Sequence, residues 1–447
     1  MKEMFIKDII KLIDGNIICG EDTSLDSFCI NSKDIKENDV FVGIKGETID
    51  GSKFYLDALN SGAKGAIITK GFCTEKINDK FIIEVEDTTK ALQQIARYKR
   101  ELLSIPVIGI TGSVGKTSTK DMISSVIETK YKVCKTKGNL NNHLGVPLTI
   151  LSLKDEEVLV VEMGMNHLGE ITVLSNIAKP TISVITNVGT AHIGNLGSRE
   201  NILKAKLEIL DGMDEKKLII NNDNDMLHSW YLNNKENVIT IGINNDSDYM
   251  AKNIEYKKET TFDYNDNNIV VRIGGEAFVY NALMGIAVGT LLDIGINDIK
   301  RGISNLQLTN NRLEVIEKNG YRIINDCYNA NFDSMKEGLH NLSKYDGRKI
   351  AVLGDMLELG DYSKELHENV GKEVNNSNID ILVTVGEEAK NIDKKANNEK
   401  YHFDNNTDAI IFLKKVVKEN DNILVKASNG MKFKTIVEKL KETGVKN

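Results

Sequence analysis

Three observations in the amino-acid sequence predict an α/β protein built from three domains. The chain has 447 residues, enough for about three domains of ordinary size. From residue 105 onward, short apolar runs of strand length alternate with longer amphipathic runs, the pattern of a parallel sheet covered by helices. A polar stretch over 243–278 and a fresh strand–helix alternation after about 311 divide that pattern. The expected organisation is a small N-terminal α/β domain (1–104), a central domain with a doubly wound parallel sheet of the P-loop type (105–310), and a C-terminal Rossmann-like α/β domain (311–447).

In the first domain, DVFVGI, GAIIT and FIIEV read as strands, and FYLDALNSG and TTKALQQIARYKRELL as helices. The central domain opens with the strand-like run IPVIGIT (105–111), and residues 116–129 place Met122, Ile123, Val126 and Ile127 at helical spacing. KYKVCKT, VLVVEMG, TISVITNVG, LIINND and VITIGI supply further strands. The polar stretch alternates in a way compatible with a small antiparallel excursion, and YNALMGIAVGTLLDIG follows as a helix that Asn281 would open. In the last third, YRIINDCYN, KIAVLGD, IDILVTVG and NILVKAS read as strands, with DSMKEGLHNLSKY and MKFKTIVEKLKETG as helices. Asp333 or Ser334 would cap the first of these helices.

Hydrophobic residues make up 41% and charged residues 27%, an ordinary globular balance. There is no run of 18 apolar residues to span a membrane. The N-terminus, MKEMFIKDIIKLIDG, mixes charge into an amphipathic pattern unlike a secretory signal, so a cytoplasmic protein is expected. The five cysteines are scattered without a CxxC pair, which suggests neither a disulfide framework nor a zinc site but small buried hydrophobes. A net charge of -8 disfavours a general nucleic-acid binder while leaving room for a small anionic ligand in a local pocket.

The chemistry centres on GITGSVGKTST, residues 109–119. Gly112, Ser113, Val114, Gly115, Lys116, Thr117 and Ser118 follow a strand and precede a helix, the arrangement in which backbone N–H groups and a helix N-terminus cradle phosphates. A lysine then neutralises the phosphates and a hydroxyl binds Mg²⁺. The strict pattern asks for glycine where Ile110 stands. Glu162 closes another apolar strand, where a carboxylate is well placed to complete a Mg²⁺ shell begun by Thr117. Asn139, Asn141, Asn142 and His143 crowd a βα loop, as a polar substrate site or as plain turn residues. His192 follows a further strand, with Lys204, Lys206 and Glu208 on a helix where lysines are ordinarily solvated. Asn281, Arg312 and the cluster Asp326, Tyr328, Asn329 and Asn331 complete the set.

In order along the chain, TGSVGKTS, GNLNNHLGVPLT, EMGMNHLGEI, TNVGTAHIGNLGS, AKLEI, YNALMGIAVG, NRLEV, CYNANFDSM, LGDMLELG and LVKASNGMK resemble the Mur ligase family over nearly the whole chain. The resemblance is to the branch that joins D-alanyl-D-alanine to UDP-N-acetylmuramoyl-tripeptide in peptidoglycan precursor synthesis. That family also lacks the first glycine of the strict phosphate-loop pattern. The resemblance implies that a peptide carboxylate attacks the γ-phosphate of ATP, and that the dipeptide amine then displaces phosphate from the acyl phosphate. It implies that Lys116 holds the β- and γ-phosphates, that Thr117 and Glu162 bind one Mg²⁺, that His192 helps hold a second, and that Lys206 is carbamylated by CO₂ to become an oxygen ligand. Asn281, Arg312 and Asp326 match residues that grip adenosine. Ser32 and Lys33 fall in the uridine-binding segment, with Asn31-Ser32-Lys33 where the family usually has Asp-Ser-Arg, and Phe332 replaces the proline that commonly follows NAN. Asn139, Asn141, Asn142, Asn329 and Asn331 are candidate substrate contacts. A monomer is expected. The rival readings are the sister ligase that adds lysine or diaminopimelate, against which the absence of an Asp-Asn-Pro-Arg motif counts, and a non-catalytic nucleotide-binding scaffold.

Overall fold

The computed structural model describes residues 3–256, 259–309, 314–318 and 320–442, and Arg312 lies outside the described residues. Three sheets follow one another along the chain, with a small antiparallel sheet inserted before the third. The first has five strands in the spatial order Asn16–Cys19, Phe81–Val85, Gly65–Thr69, Val40–Val42 and Phe28–Cys29, all parallel except the first. The two edge strands, four and two residues long, are too short to stand out in the sequence.

The central sheet has seven strands, all parallel, in the order Tyr249–Met250, Val238–Gly242, Leu218–Asn221, Ile182–Ile185, Val107–Thr111, Val158–Glu162 and Val133–Lys135. Alternate residues serve opposite faces, as the pleat requires. Val107, Leu159 and Val161 pack toward the helices Gly145–Leu151 and Glu170–Ala178 and toward Thr88–Glu101 of the first domain. Ile108, Ile110, Val158 and Val160 pack toward Lys116–Ile127 and Glu276–Leu291 on the other side. The polar excursion is the antiparallel sheet Lys252–Tyr256, Thr260–Tyr264 and Asn267–Val271, whose Phe262, Ile269 and Val271 join the second core. Tyr249–Met250, expected within that excursion, instead extends the central sheet.

The last sheet runs Glu314–Lys318, Tyr321–Asn325, Asn422–Lys426, Lys349–Gly354, Ile381–Val385 and Glu399–Phe403, with only the first strand antiparallel. Two helix starts differ from expectation. The central helix begins at Glu276, a turn and a half before Asn281, and Asn331 rather than Asp333 or Ser334 caps the helix Phe332–Ser343, accepting from Ser334 N–H at 2.9 Å. Cys134 and Cys327 are buried, whereas Cys19, Cys29 and Cys73 are half-buried, so the expectation of small buried hydrophobes holds for two of the five.

The first two sheets are joined by side chains that cap helices belonging to the other unit. Lys99 Nζ donates to the carbonyls of Leu151 (2.9 Å) and Leu153 (2.7 Å). Arg100 donates from Nε to Ala178 O (2.8 Å) and from Nη2 to Lys179 O (3.0 Å). Both cations sit where helices end in unpaired carbonyls and negative dipole. Among the described residues no helix is long and apolar enough to cross a membrane. Arg100→Ala strands buried carbonyls, and the expected outcome is a loss of about 2 kcal/mol or more, read as a lowered midpoint of urea unfolding.

Candidate active site

The C-terminal ends of three neighbouring strands, Val107–Thr111, Val158–Glu162 and Ile182–Ile185, open into one cleft of about 480 Å³. The chain order reverses across the first of them, so this is the crevice where open α/β sheets bind ligands. The phosphate loop lies at its floor. Gly112 has φ +154° and passes so close to the next strand that a Cβ there would stand 1.8 Å from Thr186 Oγ1. Gly115, at φ +83°, turns the chain into the helix Lys116–Ile127. Asn187 holds the loop, accepting from Val114 N–H through its side chain (2.9 Å) and from Ser113 N–H through its backbone (3.1 Å), and Thr186 Oγ1 donates to Val114 O (2.6 Å). Lys116 Nζ donates to Gly112 O at 2.7 Å, so its ammonium stays folded over the loop.

Thr117 Oγ1 donates to Glu162 Oε2 at 2.9 Å, and Asn141 Nδ2 donates to Oε1 of the same carboxylate at 2.8 Å. Glu162 is 2% exposed, so this hydroxyl–carboxylate pair is a buried acceptor set of the kind a hard cation takes. His192 lies across the loop, its Nδ1 buried and without a hydrogen bond. Burial, reinforced by the positive charges of Lys116 and Lys206, lowers its pKa to about 3 and keeps the ring uncharged, as a metal ligand must be. Lys206 is 1% exposed and lies beside the same two groups, while Lys204 two residues earlier is exposed. Burial first and the Lys116 charge second push the pKa of Lys206 well below its usual range, so the cleft disfavours its ammonium form. Among the described residues no three His, Cys, Asp or Glu side chains cluster as a metal site. The orphaned His192 nitrogen and the buried Thr117–Glu162 pair have the chemistry that a cation would use here.

The C-terminal domain forms the facing wall. Asp326 accepts from Lys426 Nζ at 2.5 Å, and that lysine, 2% exposed, also donates to Asn329 O at 3.1 Å. Asp333 Oδ2 accepts from Thr190 N–H (2.7 Å) and Oγ1 (2.9 Å), docking this wall on the loop that carries His192. Asn281 accepts from Thr119 Oγ1 at 2.8 Å and lines the cleft with Asn139, Asn142, Asn329, Asn331 and Ser118. Ser32 and Lys33 do not join it. They follow the edge strand Phe28–Cys29 in the first domain, beside a separate cavity of about 240 Å³ lined by Asn31, Asp34, Leu148 and Leu151. Sequence reasoning missed Asn187, Lys426 and Glu337. The clue to Lys426 was a lysine inside the apolar strand NILVKAS.

Glu337, one turn beyond Ser334, lines the cleft near Asp326, and burial first and the Asp326 charge second push its carboxyl up to about 7. The folded-state value exceeds the unfolded one, so stability is full below about 4 and is lost as pH rises toward 7. Glu337→Gln removes that loss. Its melting temperature should exceed that of the unsubstituted protein at pH 8 and by less at pH 5, as measured by calorimetry.

Comparisons with known proteins agree with this geometry. Residues 26–100 match the model described as Mur ligase family, catalytic domain, residues 110–289 the Mur ligase middle domain, and residues 311–429 the Mur ligase, glutamate ligase domain. The UDP-N-acetylmuramoyl-tripeptide--D-alanyl-D-alanine ligase of Bacillus subtilis (strain 168) is 36% identical, covering 98% of each chain. The Escherichia coli (strain K12) protein of the same name is 30% identical over 99% of this chain and 100% of its own. Among solved structures, MurF from Acinetobacter baumannii superposes with a TM-score of 0.90 at 29% identity over 99% of both chains. MurF ligase from Thermotoga maritima in complex with ADP gives 0.82 at 31% identity, covering 93% of this chain and 97% of that one.

Proposed function

The chain belongs to the Mur ligase family, and from that premise we propose that it joins D-alanyl-D-alanine to UDP-N-acetylmuramoyl-tripeptide in a reaction driven by ATP. The observation that carries this reading is the convergence, in one cleft, of a phosphate loop, a buried Thr117–Glu162 pair, a neutral His192 and a buried Lys206, in a chain matched end to end by relatives named for that reaction. The division at 104 and 310 then separates a unit for the UDP-linked substrate, an ATP-binding unit and a unit that closes on both.

A carboxylate is a poor electrophile, and transfer of the γ-phosphoryl group to it supplies a leaving group. The tripeptide carboxylate oxygen attacks γ-phosphorus as the bond to the β-phosphate oxygen breaks, giving an acyl phosphate and ADP. The uncharged dipeptide amine then attacks the carbonyl carbon, the amide forms, and inorganic phosphate departs as the amine loses its proton. Mg²⁺, when bound, neutralises phosphate charge and polarises the γ-phosphoryl group. Thr117 and Glu162 would hold one such cation, and His192 with Lys206 a second. Lys116, folded over the loop, is placed to follow the negative charge on the β- and γ-phosphate oxygens. Asn281, Arg312 and Asp326 are assigned to the adenosine end, Asn139, Asn141, Asn142, Asn329 and Asn331 to the peptide substrates, and Ser32 and Lys33 to the uridine.

Lys206 is the residue whose chemistry is least ordinary. As a buried amine without a counter-charge it is nucleophilic and costly to protonate. Its nitrogen would add to CO₂ and release a proton, and the resulting carbamate would offer oxygen ligands where an ammonium would repel a cation. All the groups of the cleft come from one chain, so a monomer is sufficient. ATP and a UDP-linked substrate are intracellular molecules, and the cytoplasm is the assigned compartment.

The decisive assay measures ADP release with ATP, Mg²⁺ and UDP-muramoyl-tripeptide, comparing D-alanyl-D-alanine, lysine, diaminopimelate and no amine. Turnover only with the dipeptide is expected. Turnover with a single amino acid would transfer the assignment to the sister ligase, and none with any amine to a nucleotide-binding scaffold. Lys206→Ala is expected to lower kcat at least a hundredfold and to regain part of it in formate or acetate, and full activity in that variant would remove the carbamate.

A further inference from the structure

The loop after the strand Lys349–Gly354 crosses from the C-terminal sheet to the central domain and ends beside His192. Glu358 Oε2 lies 2.9 Å from His192 Nδ1, yet Nδ1 has no hydrogen bond, so the two atoms are close without being aligned as donor and acceptor. Both residues occupy the left-handed backbone region, Glu358 at φ +64° and His192 at φ +62°. Such a conformation is costly for a non-glycine residue and persists where the surroundings enforce it. Here they do. A Cβ on Gly194 would stand 2.6 Å from Gly360 N, so the two loops touch backbone to backbone, and Tyr362 Oη donates to Gly197 O at 2.5 Å.

A nitrogen and a carboxylate oxygen from two domains are thus presented side by side, with strained backbone on each. Adjacent ligands of an octahedral Mg²⁺, each about 2.1 Å from the ion, stand about 3 Å apart. We propose that Glu358 supplies an oxygen ligand to the second cation, adjacent to His192, so that docking of the C-terminal domain completes a cation shell the central domain leaves open. The inference rests on the two-cation reading above. It makes the cation a bridge between domains, and Glu358 the group through which closure is sensed at the phosphates.

The test is Mn²⁺ binding to the full-length protein with a non-hydrolysable ATP analogue, followed by electron paramagnetic resonance of the free ion. Two sites are expected in the unsubstituted protein. Glu358→Gln, Glu358→Ala and His192→Ala should each weaken the same looser site tenfold or more while the tighter site keeps its affinity. Tyr362→Phe, which removes one docking hydrogen bond but no ligand, should weaken the looser site several-fold less than either Glu358 variant and leave the tighter site as it was. Two unchanged sites in both Glu358 variants would overturn the inference alone. Equal weakening by Tyr362→Phe would overturn it too, by making Glu358 a docking contact. A single site in the unsubstituted protein would overturn it together with the two-cation reading.

Discussion

Asn187 and Thr186 hold the phosphate loop from the side, and the geometry of the cleft is set by that grip. In the parallel register Thr111 lies opposite Ile185, so the residues just past both strand ends meet, and the side-chain amide of Asn187 can satisfy a loop N–H that would otherwise be free to turn away. On the opposite flank Ile110 is paired with Glu162, which sets that carboxylate beside the first turn of the helix where Thr117 sits. Three adjacent strands therefore place the anion cradle, the cation ligands and the His192 loop without any long connection. The close packing at Gly112 is the corollary, since no side chain fits between two strand ends drawn this near.

Charge is arranged unequally across the cleft. The central wall gathers Lys116, Lys206 and His192; burial keeps His192 uncharged and disfavours the charged form of Lys206. The facing wall carries Asp326, paired with Lys426, and Glu337. A polyphosphate entering between them meets backbone N–H groups and a lysine on one side and carboxylates on the other. The net positive charge therefore lies on the loop side, which draws phosphates there.

Much of this was legible in the sequence because it depends on local pattern. A strand, a glycine-rich loop and a helix in immediate succession can be read without tertiary information, and so can Glu162 at the end of an apolar run. Edge strands were not: the four residues of Asn16–Cys19 are too few to carry a periodic signal, and Glu399–Phe403, read as EKYHF, is too polar. Asn281 looked like a helix start because polar residues precede it, whereas the helix begins earlier and buries Phe278 and Val279. The choice between Lys204 and Lys206 came only from family resemblance. Burial, which depends on how the helix Arg199–Leu207 faces the sheet, separates them physically. Contacts between domains, such as Asp333 with Thr190, join residues 143 positions apart and leave no trace in local composition.

The helix Thr88–Glu101 has a consequence for modularity. Its last turn supplies the end-caps of two helices in the next unit, and its apolar face, with Leu92 and Ile95, belongs to a core that continues through the central sheet to Met335 and Leu424. The helix is a shared wall rather than a partition. A chimaera that exchanged the N-terminal unit between relatives would have to keep Lys99 and Arg100 facing the helix ends at Leu151, Leu153, Ala178 and Lys179, so the exchangeable module is larger than any one sheet.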